Sequence, residues 1–164
     1  MNTDQKGPYH FDVFSDPAEV AAEARRALDE LRAAARKHSE SGDSRVLLPS
    51  LRLAIRAAEH LLSRGFAGNK VADGWGLCAD KMGELSRALN RASSLVALLD
   101  AGAGPKAVAR FRGDVRIGYR SSVDDTDQPL CLYLPFDYTP EKQWPLMVRL
   151  HGMWTEIDEA QWTL

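Results

Sequence analysis

A histidine and a glycine that follow an apolar stretch are the residues of this sequence best suited to chemistry. The stretch WPLMVRLHG, residues 144–152, has the pattern of a strand that runs into a turn at His151 and Gly152. Glycine lets the backbone turn sharply, so that the main-chain N–H groups of Met153 and Trp154 can point toward a bound oxygen. Such N–H groups stabilise the oxyanion of a tetrahedral intermediate in acyl transfer. A plain turn is the alternative interpretation of the same dipeptide.

The other chemically active side chains do not indicate a metal or a cofactor. The histidines have no metal-ligand spacing relative to one another or to nearby acids, so we expect surface or helix-capping roles for them. The cysteines lie in apolar surroundings and form no Cys-x-x-Cys pair, which indicates buried free thiols. We therefore predict no bound metal and no cofactor. These side chains are His10, His38, His60, His151, Cys78 and Cys131.

The charge balance gives no electrostatic reason to expect nucleic acid or an anionic membrane as a partner. There are 21 Lys and Arg against 23 Asp and Glu, a formal net charge of −2. The basic residues within KAVARFRGDVR, at 106–116, are better explained by a solvated linker than by phosphate binding. No basic start followed by an apolar run opens the sequence, and no apolar run approaches about 18 residues. We expect a cytoplasmic protein that binds neither nucleic acid nor membrane.

The first helix that must support these residues is predicted to begin at DPAE, residues 16–19. Asp16 is a good N-cap, Pro17 suits the first helical position, and Glu19 stands three residues after the cap. Apolar residues then recur at helical spacing, with charged residues on the opposite face. This helix should end within residues 39–44.

Two further helices complete a predicted three-helix bundle. The second starts at Pro49 and stops at Gly65, where glycine permits a left-handed residue. The third runs from about Gly76 to Asp100, with apolar steps of four and three that suit packing at a shallow angle. The positions expected in the core are Val20, Ala24, Leu28, Leu31, Ala35, Leu51, Ile55, Ala58, Leu62, Cys78, Met82, Leu85, Leu89, Ala92, Val96 and Leu99.

A change of period from about 3.6 to 2 marks a predicted domain boundary between residues 104 and 105. Alternating residues at 115–120 and 129–135 predict two adjacent antiparallel strands joined by the turn-prone DDTD at 124–127. A polar connection with a proline follows, and a third strand is predicted at 145–150.

The last fifty or so residues resemble the start of an α/β-hydrolase of the prolyl-oligopeptidase-like and esterase-like group. The matching stretch is GYRSSVDDTDQPLCLYLPFDYTPEKQWPLMVRLHG, residues 118–152, with a strand ending in Leu-Tyr-x-Pro and another ending in Leu-His-Gly. The resemblance implies that the turn at His151 and Gly152 presents the Met153 N–H to the oxyanion hole. It also implies that the catalytic serine, acid and histidine follow this turn along the chain.

Some of this sequence departs from that family pattern. No Gly-x-Ser-x-Gly occurs and no histidine follows His151, so the chain lacks the catalytic triad. Arg149 lies in a strand that the family keeps apolar, which suggests that one face of this strand is exposed. In the family sheet the fourth strand separates the second from the third, so the strand at 145–150 would lack its neighbours.

We therefore predict an α+β chain: a helical accessory bundle at 1–104, followed at 105–164 by the first three strands of an incomplete α/β-hydrolase sheet. The implied reaction is hydrolysis of an ester or peptide bond through an acyl-enzyme, on a substrate bound only when downstream sequence completes the site. The chain alone should be inactive, and its strand at 145–150 should promote self-association. The alternative is a helical protein-interaction module with an exposed strand tail.

Overall fold

The computed structural model describes residues 7–12, 14–39, 42–66, 76–102 and 110–148. The helices are α1 (Pro17–His38), α2 (Leu48–Phe66) and α3 (Gly76–Asp100), with a 3-10 helix at Gly42–Val46 between the first two. The strands are β1 (Gly113–Arg120) and β2 (Asp127–Leu134). The protein is thus of the α+β class, as the change of period in the sequence predicts.

Helix α1 begins where its capping residues place it. The Asp16 carboxylate accepts hydrogen bonds from the main-chain N–H groups of Ala18, at 2.7 Å, and Glu19, at 3.1 Å. These N–H groups have no partner inside the helix, so the cap stabilises the first turn. At the other end, the Ser39 N–H donates to the carbonyl of Arg36 at 3.1 Å. The predicted start and end of α1 are confirmed.

The three helices enclose one apolar core. Every core position predicted on α1 is buried, and Leu51, Ile55 and Ala58 of α2 are buried as well. Helix α2 continues through Gly65 to Phe66, so the predicted stop at Gly65 is wrong. A glycine within a helix lowers the stability of the helix, but it does not by itself end the helix. The buried positions of the predicted α3 stripe are Met82, Leu85, Leu89, Ala92 and Leu99.

The two strands form an antiparallel hairpin, as predicted. The register pairs Gly118 with Pro129 and Arg120 with Asp127. The turn between the strands contains Asp125, whose φ of 53° lies in the left-handed region that an aspartate tolerates better than most residues. No peptide of the described chain is cis.

The third predicted strand is not confirmed. Residues 145–148 have no regular secondary structure, and the sheet of the described residues contains only β1 and β2. Positions 149 and 150 lie outside the described residues. A strand forms by hydrogen bonding to a neighbour, so an apolar stretch without a paired strand has nothing to fix its backbone.

The hairpin packs against the helical bundle, mainly on α2. Ser50 of α2 accepts a hydrogen bond from the Gly118 N–H at 2.7 Å, and this contact is buried. The boundary at 104/105 stays a prediction, since that segment lies outside the described residues. Among the helices that the structure describes, none combines the length and apolarity needed to cross a membrane.

Candidate functional site

The three candidate oxyanion-hole residues, His151, Gly152 and Met153, lie outside the described residues. The structure describes the approach to them as far as Val148. There the apolar side chains of Leu146, Met147 and Val148 are 81%, 91% and 70% exposed. The predicted oxyanion turn therefore follows an apolar segment that the described part of the chain leaves uncovered.

One side of the hairpin faces α2, and Gly118 shows which side it is. A Cβ atom at Gly118 would lie 2.7 Å from Leu53 Cδ1 and 2.7 Å from the carbonyl carbon of Pro49. Only a glycine allows this close approach of strand and helix. Because successive strand residues point to opposite faces, Ile117 and Tyr119 point away from α2.

The side of the hairpin that points away from the bundle is apolar, and we call it the outer face. Its pairs include Val115 with Leu132 and Ile117 with Leu130. None of its side chains belongs to the helical core cluster, and Leu130 is 40% exposed. The apolar face of an antiparallel sheet commonly packs against another layer of the protein or of a partner. The apolar residues of the outer face are Val115, Ile117, Tyr119, Leu130, Leu132 and Leu134, and the polar Gln128 lies opposite Tyr119 on the same face.

The side of the hairpin that faces the bundle instead makes a charged contact around Asp127. This side chain is 1% exposed. Its carboxylate lies 3.1 Å from Arg56 Nη2, 3.1 Å from Arg120 Nη1 and 3.7 Å from Arg52 Nη1. Arg120 also pairs with Asp125 at 2.7 Å, and that hydrogen bond is the main cause that raises the pKa of Arg120. This arginine cluster fixes the start of β2 to α2.

A second polar contact closes the end of the bundle where α1 and α3 both finish. His38 Nε2 lies 2.9 Å from Asp100 Oδ1, and Lys37 Nζ donates to the same oxygen at 2.7 Å. Hydrogen bonds from Lys37 and then His38 lower the pKa of Asp100. The predicted surface or capping role of His38 is wrong, because the ring is buried with a carboxylate as its partner. No described serine or cysteine is paired with this histidine.

Two further side chains differ from the sequence interpretation. Cys131 is exposed, although an apolar setting predicted a buried thiol. Helix α2 contacts the hairpin near Gly118 and Asp127, and Cys131 lies farther along β2. Arg112, predicted in a solvated linker, donates to the carbonyl of Tyr138 at 2.7 Å. The Arg112 contact joins residues 26 positions apart, so the local sequence does not reveal it.

The described residues hold no group of three or more His, Cys, Asp or Glu side chains arranged for a metal ion. No family model, no curated protein and no solved structure matches this chain.

Sequence reasoning missed the arginine cluster and the direction of the outer face. Arg52 and Arg56 stand four residues apart on α2, a spacing that places both on one helix face. That spacing was the available signal for a charged contact. Nothing local identifies Asp127 as the partner, because the contact spans 71 positions between Arg56 and Asp127.

Proposed function

We propose that this chain supplies the opening strands and the oxyanion turn of a serine hydrolase that cleaves a carboxylic ester or peptide bond through an acyl-enzyme. The observation that carries the proposal is the outer face. The hairpin turns Gly118 and Asp127 toward its own bundle and points six apolar side chains away from it, of which Tyr119 and Leu130 are exposed and the other four are partly buried.

An α/β-hydrolase sheet is covered on both faces, so its strands need apolar neighbours on each side. A hairpin that served only to decorate a helical bundle would place its apolar side on the bundle. Here Gly118 and Asp127 make that contact instead. The outer face supports the idea that further strands and helices pack there. Leu146 and Val148 are also exposed and would need a covering layer in the same way.

In this proposal the turn at His151 and Gly152 presents the Met153 N–H to the developing oxyanion. His151 is not the general base, because the resemblance places the base after the nucleophile and the acid. The nucleophilic serine must come from residues outside these 164, since no Gly-x-Ser-x-Gly occurs among them. The 164-residue chain by itself is then inactive toward esters. The cytoplasmic location expected from the sequence is part of this proposal.

The test compares turnover of a short-chain p-nitrophenyl ester by two proteins: this chain, and the same chain continued through its downstream reading frame. Turnover by the continued protein alone supports the proposal. A matched pair of substitutions in the continued protein, Met153→Pro and Gln143→Pro, separates the loss of the Met153 N–H from the general effect of introducing a proline, because Gln143 is exposed in the polar connection before the predicted third strand. Met153→Pro removes the N–H proposed for the oxyanion hole and should lower kcat by about 100-fold. Equal, small effects of both substitutions count against that role.

A second candidate function is a protein-interaction module, and the exposed segment favours it. Leu146, Met147 and Val148 form an exposed apolar run, which suits addition to the edge of a partner's sheet. The reading frame downstream of codon 164 discriminates between the two candidates. A frame that continues into Gly-x-Ser-x-Gly, an acid and a histidine favours the hydrolase, and unrelated sequence favours the module.

A further inference from the structure

Residues 7–12 lie against the bundle as an extended segment, which we call the amino-terminal strap. Its side chains alternate in burial: Tyr9 is half-buried, His10 exposed, Phe11 buried and Asp12 exposed. The rings of Tyr9 and Phe11 lie 6.4 Å apart between centroids and both pack with the helical core. This alternation is that of a peptide that presents every second side chain to a groove.

Helix α3 binds the main chain of the strap through two side chains one turn apart. The Asn90 side chain donates to the Tyr9 carbonyl at 2.7 Å and accepts from the Tyr9 N–H at 2.9 Å. The Ser86 hydroxyl accepts from the Phe11 N–H at 2.8 Å in a buried position. An amide side chain that pairs with both main-chain groups of one residue replaces the neighbour that a strand would have in a sheet. These three hydrogen bonds are available to any extended peptide, because they involve no side chain of the strap.

The side chains of the strap supply the selectivity. Phe11 is 6% exposed within the bundle core. Tyr9 lies near Ser93 of α3 and near the carboxylates of Glu30 and Glu23 on α1, and burial is the main cause that raises its pKa. Gly7 is favoured by space, since a Cβ there would overlap Asn90 Oδ1 and lie 2.8 Å from Asn90 Cβ. The groove between α1 and α3 therefore fits the pattern Gly-x-Tyr-x-Phe.

We propose that this groove is a peptide-binding site for an extended segment of a partner protein with the pattern Gly-x-Tyr-x-Phe, and that the amino-terminal strap occupies it as an intramolecular competitor. Recognition through main-chain groups by Asn90 and Ser86, with two aromatic anchors, is the chemistry of peptide binding rather than of helix packing. The inference is independent of the proposed hydrolase function. A tethered strap has a high effective concentration, so a partner segment must compete with it.

The experiment uses a fluorescent peptide with the sequence of residues 7–12 and measures its binding to full-length chains by anisotropy. In one variant, Tyr9→Ala and Phe11→Ala together remove the anchors of the strap and free the groove. We expect this variant to bind the probe at least about ten-fold more tightly than the unmodified chain. Adding Asn90→Ala should abolish the gain. Adding Ser94→Ala, an exposed position on the same helix, is the matched control and should leave the gain in place.

The proposal is overturned if the anchor variant retains its helical circular dichroism and fails to bind the probe at about 1 mM. It is equally overturned if Asn90→Ala and Ser94→Ala have the same effect on binding.

Native-state hydrogen exchange on the unmodified chain keeps the test decisive where the anchor variant does not fold. Displacement of the strap requires the amides of Tyr9 and Phe11 to exchange at least roughly 100-fold faster than those of Leu85 and Leu89 in α3. Equal protection of all four amides would mean that the strap leaves only on global unfolding, and no partner segment could then replace it.

Discussion

At the scale of single residues, Asp127 joins the hairpin to the bundle. It is nearly fully buried, and its three arginine partners are partly exposed at 36%, 47% and 42% of their side-chain surface. A buried carboxylate is tolerated only where cations and hydrogen bonds replace its hydration. The arginines therefore depend on Asp127 for their positions at the contact between α2 and β2.

Substituting Asp127→Asn should lower the free energy of unfolding by about 2 kcal/mol, less than for a fully buried ion pair because water reaches the arginines. Urea unfolding at neutral pH measures this change. Asp125→Asn is the matched control, since Asp125 pairs with Arg120 at 85% exposure of its side chain. Its unfolding midpoint should equal that of the unmodified chain. Equal loss in both variants would contradict the assigned role of Asp127.

The contact of Asp100 with Lys37 and His38 predicts a dependence of stability on pH. Because these partners lower the pKa of Asp100 in the folded chain, its ionised form adds stability above the ordinary value of 3.8. That stability is lost as the pH falls through the lower folded value. The unfolding midpoints of the unmodified chain and of Asp100→Asn should therefore differ at pH 7 and converge at strongly acidic pH. A difference that is the same at both pH values would contradict this account.

At the scale of elements, the close approach of β1 to α2 is set by Gly118. The strand lies so near the helix that a Cβ at this position would meet Leu53, Pro49 and the main-chain nitrogen of Ser50 within 2.8 Å. Two of these three atoms are main chain, which cannot rotate aside. The hairpin is therefore positioned by backbone shape as well as by charge.

Gly118→Ala should destabilise the chain by about 2 kcal/mol, because the added methyl group forces β1 away from α2. Gly83→Ala on α3 is the matched control. The added Cβ atom would lie 3.5 Å from Arg87 Nη1, an ordinary contact. Since alanine favours a helix over glycine, this control should gain about 0.5–1 kcal/mol. Thermal unfolding measures both, and a Gly118→Ala variant as stable as the unmodified chain would contradict the packing.

The elements differ in how far the sequence predicts them. The start of α1 at Asp16 and the bounds of α3 depend on local caps and on apolar spacing, so both are readable in a single chain. The hairpin pairing is also local, because a short turn joins its strands. A period of two indicates that a strand has two different faces, but it does not indicate which face packs on the bundle. That choice depends on Gly118 against α2 and on Asp127 with Arg56, contacts that cross about seventy positions.

At the scale of the whole molecule, the helical bundle buries its own apolar side chains. The hairpin does not bury all of its apolar side chains. The buried apolar residues of the described chain belong to the amino-terminal strap, the helices and their short connections. On the outer face Tyr119 and Leu130 are 48% and 40% exposed, and the side chains from Leu146 to Val148 are at least 70% exposed. Apolar surface of this extent commonly marks an interface. The proposed oxyanion turn at His151 and Gly152 lies outside the described residues and stays a prediction from the His-Gly pattern and the family resemblance.

This surface predicts self-association of the 164-residue chain. Sedimentation velocity should show association that increases with concentration, and a variant with Leu130→Lys and Leu146→Lys should stay monomeric because charge opposes burial of both patches. Val123→Lys is the control, since Val123 is 94% exposed in the hairpin turn, away from the outer face. A monomeric unmodified chain, or association that persists in the double variant, would contradict the prediction.

The most direct test of the central claim is labelling by a fluorophosphonate probe, which reacts with activated serines, followed by mass spectrometry of the labelled peptide. The account predicts that this chain stays unlabelled, and that the protein continued through the downstream reading frame is labelled at one serine beyond Leu164. Labelling of a serine within residues 1–164 would contradict it. So would a continued protein that carries no reactive serine.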